Sequence, residues 1–178
     1  MKKIIFLEGL PGVGKTTLVK TIREMNLKNV YTVNEIIKED ILNNISHDQN
    51  DFMKNDNMKY QKYNQGTIVI DRGFISTLSY NETMKKINNN HNIENIVSWF
   101  DSIKNIYQEK FVYTIFLTTN KKAYQISEND IGGPYGSIEN QQILEDITLK
   151  NIKKYCRNYK IIEYHKQNME EIINEIIN

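Results

Sequence analysis

The chain opens with an apolar run, "KIIFLE", that passes directly into "GLPGVGKTTLVK". This junction constrains the fold more than any other feature. Residues 9–16 satisfy G-x-x-x-x-G-K-[ST], a phosphate-binding loop that works only between a buried strand and the first turn of a helix. The residue types follow from the task. Gly12 and Gly14 allow backbone dihedrals that a side chain forbids. The N–H groups of the loop, Val13 included, then converge on an anion. The helix that starts behind them adds its positive end. Lys15 brings a point charge to the β- and γ-phosphates. Thr16 offers a hydroxyl to Mg²⁺, and Thr17 a second one near the α-phosphate. The expected ligand of residues 12–17 is therefore ATP with Mg²⁺.

Four more segments read as strands: residues 30–33, 67–71, 111–118 and 159–164. The first, third and fourth of the five are nearly continuous apolar runs, as in strands covered on both faces. Helical periodicity appears over residues 15–25, 93–107 and 169–177. Strand–helix alternation along the chain predicts an α/β three-layer P-loop NTPase fold. Its five-stranded parallel sheet has the order 2-3-1-4-5, with helices on both faces. Ligands then collect at the carboxyl ends of the strands. Two segments break the pattern. Residues 43–66 are polar, with aromatics at Phe52, Tyr60 and Tyr63. Residues 119–140 hold Gly132, Gly133, Pro134 and Gly136, and form a candidate lid.

With 178 residues, the length suits one domain that buries roughly 70% of its unfolded surface. Lys and Arg number 23 against 22 Asp and Glu, a net charge of +1 that gives no reason to expect nucleic-acid binding. No apolar run reaches the roughly 18 residues of a membrane span. One cysteine, Cys156, excludes an internal disulfide. A cytoplasmic location without membrane association is the expectation, and a homodimer is allowed for. There are three arginines, Arg23, Arg72 and Arg157. An enzyme that handles several phosphates uses such planar donors, so each is a candidate.

The loop alone does not say where a phosphate goes. A GTPase would carry D-x-x-G after a later strand, but here Asp71 is followed by Arg72, Gly73 and Phe74. The base-reading aspartate of N-K-x-D would fall on Ala123. Both tests fail. Instead, Asp71 ends a strand where a carboxylate reaches the metal beside the loop. Arg72 next to it is a bidentate cation suited to a second phosphate.

Together, "FLEGLPGVGKTT" and "DRGFISTLSYN" resemble thymidylate kinase and its deoxynucleoside kinase relatives. The resemblance lies in Asp71, Arg72, Ser76, Thr77, Tyr80 and Asn81, spaced as in the family motif. It implies that Asp71 serves the metal and that Arg72 grips the phosphate of a nucleoside monophosphate acceptor. It further implies that Ser76, Tyr80 and Asn81 face that substrate, with Asn81 where the family's glutamine touches the base. Glu35, after the second strand, matches the glutamate that deoxynucleoside kinases hold near the sugar, a general base for a hydroxyl acceptor. Thr32-x-x-Glu35 equally spells a helix capping box. The chain departs from the family at Pro11, where an aspartate is usual, and in having no arginine between Arg72 and Arg157. Lys121 and Lys122 are the cations available in its place.

Phe52, Tyr60, Tyr63 and Phe74 are candidates either to stack on a base or to pack in the core. Trp99 reads as packing. His47, His91 and His165 have no metal-ligand spacing. The expected activity is transfer of the γ-phosphate of ATP to a small-molecule acceptor, a nucleoside or nucleoside monophosphate. Lys15, Asp71, Arg72 and Glu35 are the catalytic candidates. A kinase for another small metabolite and a nucleotide-binding regulatory module stay open.

Overall fold

The structure is a computed structural model and describes residues 2–43, 48–118, 132–164 and 169–177. Five strands, β1 (Lys2–Glu8), β2 (Val30–Val33), β3 (Gly66–Asp71), β4 (Val112–Thr118) and β5 (Tyr159–Glu163), form one parallel sheet. The spatial order is β2-β3-β1-β4-β5, as the sequence predicts. The register sets Phe6 opposite Ile70 and Leu7 opposite Asp71, so β1 and β3 deliver the phosphate loop and Asp71 to the same, carboxyl end of the strands.

Alternate residues of β1 feed two cores. Ile5 and Leu7 join Leu18, Val19 and Ile22 of α1 (Lys15–Glu24), and Ile172, Ile173 and Ile176 of α7 (Met169–Ile177). Ile4 and Phe6 face the other way, toward α3 (Gln49–Gln61), α4 (Phe74–Ile87), α5 (Glu94–Ile103) and α6 (Ile138–Tyr155). A short helix, α2 (Glu39–Leu42), precedes α3. The periodic stretch 93–107 divides into α5 and a 3₁₀ turn, Lys104–Gln108, which buries Tyr107 against Phe6. Phe74, Tyr60, Trp99 and Tyr107 form an aromatic cluster in this second core. Tyr63 stacks on Tyr31 at 4.6 Å. Three of the four candidate base-stacking rings, Tyr60, Tyr63 and Phe74, are therefore packing residues.

The polar stretch 43–66 holds a helix, α3, where periodicity alone suggested a loose segment. Asp48 caps it by accepting from Asp51 N at 2.9 Å, and its buried face is made of Asp51, Asn55, Asp56 and Lys59. Helices α4 and α6 also lie outside the three periodic stretches. Lys121, Lys122, His47 and His165, and the first part of the candidate lid, lie outside the described residues. No helix among the described residues is long and apolar enough to cross a membrane.

Candidate active site

The loop between β1 and α1 closes through glycines in the left-handed region. Gly12 has φ 76° and Gly14 has φ 103°. Gly14 is also the N-cap of α1, and a Cβ there would sit 2.2 Å from the Tyr164 ring. Tyr164, at the end of β5, thus backs the loop. Val13 packs its side chain into the α1 core, so only its backbone is available to an anion. Gly12, Thr16 and Thr17 are solvent-facing at the start of the helix. Lys15 folds back over the loop and donates to Gly9 O at 2.9 Å and Leu10 O at 2.8 Å. Burial and the nearby Arg72 lower its pKa to about 7, against the opposing pull of Asp71 and Glu35.

Thr16 Oγ1 donates to Asp71 Oδ2 at 2.8 Å. The other carboxylate oxygen, Asp71 Oδ1, is buried without a hydrogen-bond partner. Burial raises the Asp71 pKa, although Lys15 works against that. An orphaned carboxylate oxygen beside a hydroxyl and the loop is a hard oxygen pair that suits Mg²⁺. Among the described residues, no group of three His, Cys, Asp or Glu could hold a metal. A pair that shares the ion with phosphate oxygens fits Mg²⁺, which keeps few protein ligands. Thr16 and Asp71 therefore fit the expected metal.

Arg72 has φ 57°, in the left-handed region that residues other than glycine seldom adopt, and its N–H is held by Leu7 O at 2.9 Å. Nη1 donates to Gly9 O of the phosphate loop at 3.0 Å. Nε lies 2.7 Å from Glu35 Oε1, with the N–H not aimed along that line, so the contact is an ion pair rather than a directed bond. Burial raises the Glu35 pKa, but Arg72, Lys15 and Lys59 outweigh it and hold the carboxyl below its ordinary value. Glu35 is thus ionised at neutral pH. No helix begins at Glu35, since Thr32 belongs to β2 and α2 starts at Glu39. The capping-box alternative fails. Asn55 holds this segment by accepting from Ile37 N at 2.8 Å and donating to Glu35 O at 2.9 Å.

Glu35 and Arg72 line a cavity of about 550 Å³ together with α3, α4 and Tyr135. Phe52, Ile36 and Ile41 supply apolar surface, and Tyr80 meets Tyr135 at 5.5 Å. Ser76 lines the cavity, but its hydroxyl donates to Glu8. Asn81 is placed differently from the expectation. It is fully buried and held by Gln49, Thr77 and His91, and Gln49 lines the cavity instead. Of the other arginines, Arg23 bonds Thr32 and Asn34 near the end of β2, and Arg157 follows α6 beside the start of β5.

Three charged residues under the site were missed in the sequence. Glu8 is wholly buried, accepts from Gly73 N at 2.9 Å and from Ser76, and burial lifts its pKa to about 7. Lys59 pairs with Asp56 at 2.7 Å and donates to Arg72 O at 3.0 Å. Asp56 also accepts from Thr77 at 2.7 Å. A carboxylate closing a buried apolar strand was the visible signal for Glu8. The signal for Lys59 and Asp56 was a polar helical period.

No protein-family model matches the sequence, and no curated protein does. Solved structures do match. Candida albicans thymidylate kinase superposes with TM-score 0.66 at 17% identity, covering 98% of this chain and 89% of its own. A deoxyadenosine kinase from M. mycoides with bound dATP gives TM-score 0.68 at 13% identity, over 99% of this chain and 100% of that one. The chain has the thymidylate kinase and deoxynucleoside kinase fold. Ehrlichia chaffeensis thymidylate kinase, at TM-score 0.61 and 15% identity, covers 99% of this chain and 97% of its own. In this kinase-like fold, the carboxyl end of the strands that carries the loop, Asp71 and Arg72 borders the cavity, which Arg72 and Gly73 line.

Proposed function

We propose that the chain is a phosphotransferase that moves the γ-phosphoryl group of ATP to a nucleoside or nucleoside monophosphate, with a nucleoside hydroxyl as the first choice. One observation carries the reading. Arg72 bonds the phosphate loop through Gly9 O and lines the cavity together with its ion-pair partner Glu35, so a single side chain joins a donor site to an acceptor site. The solved structures of the same fold are nucleotide and nucleoside kinases, which supports phosphotransfer between small molecules. A regulatory module has no need of the second site.

Charge decides between acceptors. Arg72 is already neutralised by Glu35, and Lys59 by Asp56. An acceptor phosphate would have to compete with Glu35 for the guanidinium, whereas a neutral hydroxyl would not. Glu35 is ionised and lines the cavity beside Arg72, so it takes the hydroxyl proton as the oxygen attacks the γ-phosphorus. The bond from that phosphorus to the bridging oxygen breaks, and ADP leaves. Lys15 neutralises charge on the transferring group, and Arg72 joins it as Glu35 takes the proton and gives up its share of the ion pair. Mg²⁺, held by Thr16 and Asp71, would supply further neutralisation. The chain's own contribution is positioning as much as charge.

An ATP-consumption screen against nucleosides, nucleoside monophosphates and small alcohols tests this. Nucleosides should stimulate turnover, and Glu35→Gln should lower kcat by roughly 10²–10⁴ with ATP binding unchanged. Faster turnover with monophosphates would make Arg72 a phosphate clamp instead. Turnover with other alcohols alone would point to another small metabolite, and no stimulation at all to a regulatory module.

A further inference from the structure

Helix α3 carries two side chains that reach the two ends of one ion pair. Asn55 and Lys59 lie one turn apart on it and are buried on the same face. Asn55 holds the segment of Glu35. Its Oδ1 accepts from Ile37 N at 2.8 Å and Lys38 N at 3.1 Å, and its Nδ2 donates to Glu35 O at 2.9 Å. Lys59 holds the segment of Arg72. Its ammonium donates to Arg72 O at 3.0 Å and Asp71 O at 3.3 Å, and pairs with Asp56 at 2.7 Å. These contacts use its three hydrogens, so none is left for a substrate phosphate. Asp56 in turn accepts from Thr77, which pins this turn of α3 to α4. Arg72 needs such support. Its backbone is left-handed, and a residue other than glycine keeps that conformation only where its surroundings hold it. Leu7 O and Glu8 hold the N–H groups of Arg72 and Gly73 from β1. Lys59 holds the two carbonyls from α3, and with them the direction in which the guanidinium leaves the chain.

We propose that Asn55 and Lys59 are positioning residues that set Glu35 against Arg72, and so the general base against the cation beside the phosphate loop. The inference rests on the phosphotransfer reading above for its consequence, but not for its geometry. Sheet pairing does not fix the pair, because the ladder between β2 and β3 ends at Val33 opposite Ile70. Glu35 and Arg72 both lie beyond it, on segments with no pairing to each other. One face of one helix spans the gap instead. Each of its two side chains acts through a short backbone segment that ends in a functional group. The same helix carries Gln49 and Phe52 on the cavity wall, so the element that meets the acceptor also holds the base and the cation. Misplacing reacting groups by about 1 Å costs about a hundredfold in rate, which is what a rigid face of this kind prevents.

Arginine side-chain NMR tests the inference without turnover. The chain has three arginines, and Arg23 and Arg157 are exposed. The Arg72 side chain is 12% exposed, so its Nε–H signal should be the one shielded from exchange with water. Its loss in Arg72→Lys identifies it. Lys59→Met and Asn55→Leu keep side-chain bulk and remove the bonds. In each, the Arg72 signal should move toward those of the exposed arginines and exchange about tenfold faster or more. The signals of Arg23 and Arg157 should stay in place. An unmoved Arg72 signal in either folded variant overturns the inference. Lys59→Met leaves Asp56 buried without its counter-ion, and where it fails to fold Asn55→Leu carries the test. With the best nucleoside of the screen, each variant should lose about tenfold to a hundredfold in kcat, with ATP affinity unchanged. Adding Lys59→Met to Arg72→Ala should cost nothing further, because the residue it positions is gone. An additive loss, or an unchanged kcat in an enzyme whose Arg72 signal has moved, would overturn the role. A moved Arg72 signal in a protein that phosphorylates no nucleoside would sink the kinase reading and leave the positioning of Glu35 and Arg72 standing.

Discussion

At the scale of single residues, the legible part of the site is the part with backbone grammar. Gly12, Gly14, Lys15 and Thr16 announce themselves because an anion nest before a helix admits few other residue types. Asp71 and Arg72 follow as candidates because a charged pair ending an apolar strand beside such a loop suits a metal and a second phosphate. Asn81 was misplaced because its neighbour across the helices, Gln49, occupies the cavity wall. A contact between residues on two different helices leaves no trace in one sequence. The sharpest consequence at this scale concerns Asp71. Its Oδ1 is buried and unpaired, a cost that the fold carries without benefit unless a cation arrives. Asp71→Asn should therefore leave thermal stability without ligand unchanged or slightly raised. It should cut Mg²⁺-dependent ATP affinity by roughly one to two decades, the worth of a charged contact of about 1.5–3 kcal/mol. Melting curves with and without Mg·ATP measure both. A marked loss of stability in the free protein, with Mg²⁺ dependence intact, would make Asp71 a structural residue.

At the scale of elements, the helices divide by what they bury. Helices α1 and α7 bury Leu18, Val19, Ile22, Ile172, Ile173 and Ile176, so their period is written in apolar residues and is easily seen. Helices α3, α4 and α6 bury Asp51, Asn55, Lys59, Ser79, Asn81, Gln141 and Asn151 among their contacts. The same 3.6 period is present but in polar letters, where hydrophobic patterning does not register it. Polar burial needs partners, and these helices supply them to one another. Asn151 of α6 donates to Ser79 of α4 at 3.0 Å and to Glu82 at 2.6 Å. Glu8 does the same between β1 and α4, holding Gly73 N and Ser76. Its folded pKa, about 7, lies above the ordinary value of 4.5 because burial disfavours the charge. The folded state thus binds the proton more tightly than the unfolded chain. Its contribution is fully present below the unfolded value and is lost as pH rises through about 7. Glu8→Gln does not titrate, so denaturant unfolding at about pH 5 and about pH 8 should show the variant gaining on the parent. The gain should be up to roughly 3 kcal/mol. An identical gap at both pH values would mean that Glu8 is ionised throughout.

At the scale of the whole molecule, the two sides of the sheet have different duties. The sheet order was legible because alternating strands and helices with right-handed crossovers leave few topologies. The division of labour was not, since it depends on which helices share a face. On the α1 and α7 side, the core cluster contains apolar residues backed by Tyr164. On the other side, α3, α4 and the segment with Tyr135 surround the cavity, and charged pairs such as Lys59–Asp56 lie beneath it. A ligand that binds only the folded protein stabilises it by mass action, and local openings that expose the site are suppressed most. Amide exchange should therefore slow on nucleoside binding in α3, in the first two turns of α4 and around Tyr135. It should change little in α7 and β5, which share no wall with the cavity. ATP added alone should instead protect residues 9–17, and Tyr164, whose ring packs on Gly14, should follow the loop rather than the cavity. The two ligands then have separable footprints joined at Arg72, the residue that touches both. Protection by nucleoside centred on α7 and β5 would mean that the acceptor binds on the other side of the sheet. The two-site arrangement would then fail, and the role of Arg72 as the link between donor and acceptor would fail with it.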